Sequence, residues 1–199
     1  RFNKDNRFDY YFFTNEYVKS NKWKVIKVPL IKRTKHMNTN RVNAKYYKWK
    51  HVPNILKKYD YIIHIDCAKI EWLNKFSYDE IIELINNNPN VLFFGRTHPF
   101  LNNIYKECEY VKNKTNLDYK DNIIKWENIL KNEYFKVKFT HCETGLHLKK
   151  NNEKINKILS LVYDKLMEIK LCRDQLVFPY VLQKNGLKLS EFKIYDKFN

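Results

Sequence analysis

The pattern of apolar and polar positions predicts six strands along the chain. Aromatic residues follow one another in the first segment, apolar and polar residues alternate in the second, and continuous apolar runs form the third and fourth. Continuous runs of this kind are typical of strands covered on both faces of a sheet. The last two segments are weaker strand patterns. The six predicted strands cover residues 8–14, 23–29, 61–66, 90–95, 143–148 and 187–189.

Helical patterns separate most of these segments. The clearest covers residues 151–170, where apolar residues recur every three or four positions. Because a helix lies between two buried strands in the middle of the chain, a parallel crossover is expected there. The sequence therefore predicts one α/β domain over residues 1–199, without repeats or linkers. The other predicted helices cover residues 38–56 with a break before Pro53, 77–87, 99–112, 117–132 and 173–183.

Composition narrows the class of protein. The chain has 15 Tyr, 13 Phe and 4 Trp but 3 Gly and 5 Pro, a balance that excludes collagen-like, linker-like and low-complexity proteins. The formal net charge of +16 suggests a nucleic-acid partner at first sight. Lysines nevertheless alternate with acidic residues throughout, without a basic tail or a single basic face, so we expect no nucleic-acid partner.

The spacing of the cysteines and the lack of long apolar runs indicate where in the cell the protein is located. Thirty or more residues separate Cys67, Cys108, Cys142 and Cys172, so no pair has the spacing of a zinc knuckle or a redox motif, and free thiols are expected. No apolar run approaches the roughly 20 residues of a membrane span, and the first residues do not resemble a signal peptide. We therefore expect no membrane span and a cytoplasmic location.

The acid at the end of the third predicted strand is the most informative residue. Open α/β sheets bind ligands beyond the carboxyl ends of their central strands, and Asp66 lies at such an end. His64 points to the same face of the strand, so the two side chains can form a mixed metal site that resembles the Asp-x-Asp motif of sugar-nucleotide transferases. The same residues also fit a structural role, with Asp66 capping the next turn and His64 in the core.

Two further groups of residues carry charge in a suggestive pattern. Arg41, Lys45 and Lys48 share one face of a predicted helix and can neutralise a diphosphate, although a solvated helix face gives the same pattern. Arg173, Asp174 and Gln175 open another helix, where Asp174 can also be a simple cap. No Walker loop, dinucleotide-binding glycine motif or serine nucleophile motif is present, so the common kinase, dehydrogenase and hydrolase classes are excluded.

Five segments resemble motifs of one family, the glycosyltransferase-like domain shared by plant mucilage-related and turgor-regulation-defect proteins. The likeness extends over most of the chain, and its most specific piece is RDQLVFPY at residues 173–180, which resembles R-D-Q-L-S-F-x-Y. The other four are DYYFFT at 9–14 (D-Y-x-x-F-T), KYYK at 45–48 with His51 (R-x-x-K), YDYIIHID at 59–66 (Y-D-x-x-x-W-x-D), and HPFLNNIYKE at 98–107 (H-P-x-R-x-x-I-Y-x-E).

The sequence departs from this family at three points. His64 stands where the family has Trp, and Leu101 or Asn102 stands where the family has Arg. The family's first strand, with its Y-T-x-x-x-G-x-Y-D segment, is not found before Arg1, and that strand helps to form the nucleotide-base pocket. The resemblance thus implies a single glycosyltransferase-like domain in which the first strand is not found, so either the chain is trimmed or its donor site is unusual.

The resemblance implies a GT-A-like, Rossmann-like fold of three α/β/α layers around a mostly parallel sheet. It further implies metal-assisted transfer of a sugar from a nucleotide-diphosphate sugar donor to a glycan, lipid or protein acceptor. The roles expected from it, together with the residue patterns, are Asp66 and His64 holding Mn²⁺ or Mg²⁺; Arg41, Lys45, Lys48, His98, Arg173 and Gln175 at the donor; and Asp174 or Glu143 orienting or deprotonating the acceptor hydroxyl.

Two other classes of function stay open. One plant member of the family has been linked to ceramide hydrolysis, and a metal-activated water at Asp66, His64 and His147 would give a metal-dependent hydrolase of a lipid amide. The third class is a non-catalytic protein that binds nucleic acid or another polyanion through the positive charge.

Overall fold

Two separate β-sheets are present in the part of the chain that the structure describes. A computed structural model describes residues 4–31, 37–75, 77–114 and 120–195. The small sheet is the parallel pair β1 (Tyr11–Thr14) and β2 (Lys24–Lys27). The large sheet has four strands, which are β3 (Tyr61–Ile65), β4 (Phe93–Thr97), β5 (Cys142–Lys150) and β6 (Phe192–Ile194). The α/β class predicted from the sequence is thereby confirmed.

The large sheet is mixed. Its strand order is β3-β5-β4-β6, and β5 runs antiparallel to both β3 and β4, whereas β4 and β6 are parallel. The expectation of mostly parallel pairing is therefore wrong for this sheet. The physical reason is that β5 lies between β3 and β4, so the crossover from β3 to β4 joins strands that point the same way without being neighbours.

Most predicted helices are present with shifted ends. The described helices are α1 (Thr39–Lys45), α2 (Tyr78–Asn86), α3 (Ile104–Asn113), α4 (Lys120–Asn132), α5 (Glu153–Ile169) and α6 (Phe178–Lys184). Ser77, Asn103 and Asn152 cap α2, α3 and α5 by accepting a hydrogen bond from a first-turn backbone N–H. The predicted helix at 173–183 is a 3₁₀ turn (Asp174–Leu176) followed by α6.

The predicted helix over residues 38–56 is not continuous. α1 passes at Tyr46 into a π-helical turn (Tyr46–Lys50), and a 3₁₀ turn (Asn54–Leu56) follows Pro53. The His51 amide donates to the Tyr46 carbonyl at 3.0 Å, five residues back, which is the π-helical pattern. This wider turn rotates the residues after Tyr46 relative to those of α1.

The two faces of the large sheet contact different hydrophobic cores. Phe93 belongs to the larger core, which α3, α4, α5 and α6 complete. The adjacent Phe94 belongs to the smaller core, with Leu146 and Leu148 of β5 and Ile81 of α2. Alternate residues of a strand point to opposite faces, so β4 joins the two cores.

A cavity of about 680 Å³ lies between the two sheets, and every residue of β1 and β3 lines it. β1 pairs with β2 along one of its edges, and β3 pairs with β5 along one of its edges. In the described residues, no backbone hydrogen bond forms along the other edge of β1 or of β3. Lys45, Lys48, His64 and Asp66 line the cavity near the carboxyl end of β3, and we call this region the charged end.

The cysteines are free in this structure, with Cys108, Cys142 and Cys172 buried and Cys67 exposed. Within the described ranges, no helix combines the length and apolar character that a bilayer crossing requires.

Candidate functional site

One edge of the large sheet gathers the charged residues. Asp66 follows the carboxyl end of β3, and His98 follows that of β4. Because β5 is antiparallel to both strands, its first residues, including Glu143, lie at the same edge. The sheet thus brings together three of the residues singled out in the sequence.

Asp174 contacts the ammonium groups of two lysines near this edge. Its Oδ2 accepts hydrogen bonds from Lys45 Nζ at 2.7 Å and Trp49 Nε1 at 2.9 Å, and its Oδ1 accepts from Thr144 Oγ1 at 2.9 Å. Lys48 Nζ lies 3.1 Å from the same Oδ2. The Asp174 side chain is 1% exposed. We call Lys45, Lys48, Asp66 and Asp174 the lysine cluster.

The π-helical turn explains how two lysines and a tryptophan converge on one carboxylate. Lys45 ends α1, and Lys48 and Trp49 lie in the turn, where both are buried. Arg41 was expected on the same face, and it does lie one α-helical turn before Lys45 within α1, but it is exposed and does not line the cavity. The predicted cationic face is thus a pair of lysines.

Lys48 is the most unusual member of the lysine cluster. Its side chain is 1% exposed, yet in the described part of the chain no acceptor meets hydrogen-bond geometry with its Nζ. Burial lowers the pKa of this ammonium group, but Asp174 and Asp66 more than offset burial and hold the pKa above its ordinary value. Lys48 is therefore a charged group with donors left for a ligand, and it lines the cavity.

The acid at the end of β3 already has partners. Asp66 Oδ1 accepts a hydrogen bond from His64 Nε2 at 3.0 Å and lies 3.6 Å from Lys48 Nζ. Burial raises the Asp66 pKa, but Lys48 and His64 outweigh burial, so the pKa lies well below its usual range. The Asp66 side chain is 39% exposed, which makes it the most accessible carboxylate of the lysine cluster.

His147, another predicted metal ligand, lies beneath Asp66 in a stack of rings. It is buried, and its ring is 5.0 Å from those of Trp49, His64 and Phe93 at angles of 9°, 18° and 22°. Its Nδ1–H donates to the Thr144 carbonyl at 3.2 Å. Burial lowers the pKa of His147 well below its ordinary value, so the ring is neutral and packs like an aromatic residue.

Glu143 and Gln175 form a separate group. Glu143 Oε1 accepts from the Gly145 amide at 3.0 Å and from Gln175 Nε2 at 3.4 Å, and its other oxygen accepts from Lys69. Burial raises the Glu143 pKa, but Lys69 outweighs burial and the net pKa is lowered. Neither Glu143 nor Gln175 lines the cavity. A Cβ on Gly145 would lie 3.1 Å from both Asp66 Oδ2 and Glu143 Oε1, so glycine permits this close packing.

A second buried cluster surrounds Glu107 of α3. His141 Nε2 donates to Glu107 Oε2 at 3.0 Å, Arg173 Nε donates to Oε1, and His98 Nε2 lies 3.7 Å from Oε2. We call His98, Glu107, His141 and Arg173 the histidine cluster. Burial raises the Glu107 pKa, but His141 and Arg173 outweigh burial and the net pKa is lowered. His98 and Arg173, both expected at the donor, therefore lie away from the cavity.

The distances in the histidine cluster would permit a metal ion, since ligand atoms of His98, Glu107 and His141 lie within 4.8 Å of one another. The protons do not. His98 Nδ1 accepts from the backbone amides of Phe100 at 3.3 Å and Leu101 at 3.0 Å, so the ring proton belongs on Nε2, the nitrogen that faces Glu107. We interpret the cluster as a hydrogen-bonded network that crosslinks α3, β4 and the start of the Asp174–Leu176 turn.

The Mn²⁺ or Mg²⁺ site expected at Asp66 does not fit the residues present. His64 Nε2 carries the proton that it donates to Asp66, so this nitrogen is not free to bind a metal. In the described residues, His64, Asp66 and His147 do not form a group of ligand atoms within 4.8 Å. A cation at Asp66 would also meet the Lys48 ammonium 3.6 Å from the same carboxylate.

Asp174 does not suit the role of a base for an acceptor hydroxyl. Its oxygens already accept three hydrogen bonds and it does not line the cavity. Burial raises its pKa, but Lys45 and Lys48 outweigh burial, and the net pKa lies well below the ordinary value. The contacts of Asp174 with Lys45 and Lys48 hold the two ammonium groups in place.

Several residues of the site are not apparent from the sequence. Trp49 and Thr144 hold Asp174, and Lys69 pairs with Glu143. His141 completes the histidine cluster. Only the acid of the H-P-x-R-x-x-I-Y-x-E resemblance, Glu107, carried a signal, because that motif places it nine residues after His98.

Comparison of the chain with protein-family models, with curated proteins and with solved structures finds no match. The resemblance drawn from its motifs therefore stays a prediction.

Proposed function

We propose that this chain transfers a sugar from a nucleotide-diphosphate sugar to a glycan, lipid or protein acceptor, on a fold related to GT-A. The observation that carries the proposal is Lys48, a buried ammonium group with unused hydrogen-bond donors that lines a cavity at the carboxyl end of β3. A diphosphate supplies the oxygen acceptors that such a group lacks.

The rest of the charged end supports the same ligand. Lys45 lines the cavity beside Lys48, so two cations face one region. Tyr11 and Tyr59 line the cavity too, with their hydroxyl groups 2.8 Å apart, and aromatic rings of this kind pack against a nucleoside base. Together these groups offer a charged end for phosphates and an aromatic wall for a base.

The carboxylates differ in what they can do for the sugar. Of Asp66, Glu143 and Asp174, only Asp66 lines the cavity. Its Oδ1 faces Lys48 and His64, which leaves Oδ2 to accept a hydrogen bond from a sugar or acceptor hydroxyl. Because its pKa is low, Asp66 orients a hydroxyl better than it removes a proton.

The alternative functions find less support. The lipid amide hydrolase requires Asp66, His64 and His147 to hold one metal ion, and their ligand atoms do not gather into such a group in the described residues. A polyanion-binding surface requires clustered exposed cations, whereas many lysines here pair with carboxylates, among them Lys24, Lys50 and Lys154.

A binding screen tests the proposal. Nucleoside diphosphates and nucleotide sugars of the common bases are added to the protein, and thermal unfolding is followed. A ligand at one hundred times its dissociation constant adds about 2.7 kcal/mol of stability. We expect one base series to raise the melting temperature, and release of the diphosphate from the matching nucleotide sugar then measures turnover.

Two variants localise the effect. Lys48→Met removes the ammonium group whose hydrogen-bond donors are unused, and we expect it to abolish the shift. Arg41→Met removes a cation from the neighbouring helix outside the cavity, and we expect it to leave the shift unchanged. If no diphosphate or nucleotide sugar stabilises the protein, the proposed function is wrong.

A further inference from the structure

The lysine cluster neutralises its own carboxylates before any ligand binds. Asp174 pairs with Lys45 and Lys48, and Asp66 pairs with Lys48 and accepts a hydrogen bond from His64. Two carboxylates thus face two ammonium groups. A diphosphate that enters the cavity meets an ammonium group that is already in place and has unused donors, without recruiting a cation from solution.

The arrangement also disfavours a divalent ion on physical grounds. Magnesium and manganese prefer carboxylate, carbonyl and water oxygens. Asp66 is the one carboxylate of the charged end, and one of its oxygens is engaged. The other carboxylates described as lining the cavity, Asp9 and Asp60, lie beside Tyr59 before β3 begins. An ion bound to Asp66 would come close to Lys48, and two cations in a partly buried site repel each other strongly.

Lys48 is positioned for the role of that ion. Its Nζ lies between Asp66 Oδ1 at 3.6 Å and Asp174 Oδ2 at 3.1 Å. Trp49 lies beneath it, with the ammonium 4.8 Å from the ring centroid. These contacts hold the charge at one place, while the hydrogen-bond donors of the ammonium stay available.

We propose that Lys48, fixed by Asp174 and Asp66, takes the place of the divalent metal ion, so that the chain binds a nucleoside diphosphate without metal. The inference rests on the proposed function, since it concerns the same donor site. It differs from it in one respect that can be measured separately, the dependence of binding on a metal.

The test is calorimetric titration of nucleoside diphosphates into the intact chain, once with EDTA and once with Mn²⁺. We expect the dissociation constants in the two conditions to agree within about threefold, a difference below the 1.4 kcal/mol that a tenfold change represents. We expect Lys48→Met to weaken binding by more than about tenfold in both conditions. Lys48→Arg, which keeps a positive charge, should lose less and serves as the variant with the same charge.

A second measurement reads the metal directly. The electron paramagnetic resonance signal of Mn²⁺ in water decreases when the ion binds a protein. We expect no decrease when the chain alone is added. Lys45→Met tests the same charge if Lys48→Met does not fold.

The outcomes separate the two proposals. Binding that occurs only with Mn²⁺, or loss of the Mn²⁺ signal on adding the chain, overturns the lysine assignment and leaves the transferase proposal standing. Failure of every diphosphate to bind in either condition overturns both. Equal binding with EDTA and with Mn²⁺ that is lost in Lys48→Met supports the assignment.

Discussion

The lysine cluster and the histidine cluster lie at the same edge of the sheet and contain similar groups, but they differ in how their hydrogen-bond donors are used. Each is built on one buried carboxylate with cationic or histidine partners, Asp174 with two lysines and Glu107 with Arg173 and His141. The carboxylates belong to different elements, but the adjacent residues Arg173 and Asp174 connect the clusters. The sequence motif that contains both residues therefore serves two sites.

The difference between the clusters lies in which donors are used. In the histidine cluster, Glu107 accepts from His141 and Arg173, and the cluster lies outside the cavity. In the lysine cluster, the Lys48 ammonium has no hydrogen-bond acceptor among the described residues and it lines the cavity. Burial and charge therefore do not by themselves mark a binding site. His141 Nδ1 is also buried without a hydrogen-bond partner among the described residues, but it lies outside the cavity, so Lys48 is distinguished by an unused donor that lines the cavity.

The largest expected effect is on stability, at the histidine cluster. Glu107→Ala leaves the Arg173 guanidinium and His141 without their carboxylate, and breaking a buried pair of this kind costs about 3–5 kcal/mol. Urea unfolding measures the loss. Glu127→Ala is the matched control, because that carboxylate pairs with Lys112 and Lys131 nearer the surface and should cost about 0–1 kcal/mol. Equal losses in the two variants would show that the Glu107 network does not stabilise the fold.

Trp49→Phe changes the lysine cluster alone, and we expect it to lose less stability than Glu107→Ala. The ring stays, but Asp174 loses the Nε1 donor, and we expect a loss of about 1–3 kcal/mol in stability together with weaker diphosphate binding. Trp126→Phe is the matched control, since Trp126 is as deeply buried and its Nε1 donates to the Leu176 carbonyl at 2.7 Å. It should lose similar stability and keep binding. If both variants bind alike, Trp49 does not position the lysines.

The sequence predicts which strand and which helix carry the lysine cluster, but it predicts the arrangement of their side chains less well. The apolar run of β3 ending in Asp66 and the spacing of Lys45 and Lys48 placed these residues at one strand end and on one helix face, and both are found there. The spacing also placed Arg41 on that face, but Arg41 lies one turn before Lys45 in α1, where it is exposed and does not line the cavity. Local patterns describe the faces of elements and not how far along an element a cavity extends.

The histidine cluster illustrates the other limit. Glu107, His141 and Arg173 are separated by more than 30 residues at each step, and only the fold unites them, because α3 packs against the Asp174–Leu176 turn and Glu107 contacts His141 just before β5. For the same reason the sequence does not show that Asp174 is saturated by hydrogen bonds from Trp49 and Thr144. The chemical state of a carboxylate depends on partners that are distant in sequence.

A pH titration probes the histidine beneath the lysine cluster. Burial lowers the pKa of His147 far below 6.5, so the unfolded chain binds a proton near pH 6 that the folded chain does not bind. Stability from this residue is complete well above pH 6.5 and falls as the pH falls through 6.5, by about 1 kcal/mol between pH 6.5 and 5.5. His147→Phe keeps a ring in the stack and should reduce the slope of stability against pH. An unchanged slope in this variant would mean that His147 is charged in the folded state.

The smallest expected effect distinguishes the two possible roles of Asp66. Its side chain is 39% exposed, so Asp66→Asn should change the free energy of unfolding by no more than about 1 kcal/mol. If Asp66 held a metal ion required for binding, this variant would bind diphosphate no better than Lys48→Met. In the lysine assignment, Asp174 still holds Lys48 at 3.1 Å, so Asp66→Asn should retain most of the metal-free binding that Lys48→Met loses. Calorimetry of the two variants side by side in EDTA makes the comparison, and equal losses would assign Asp66 an essential part in the site.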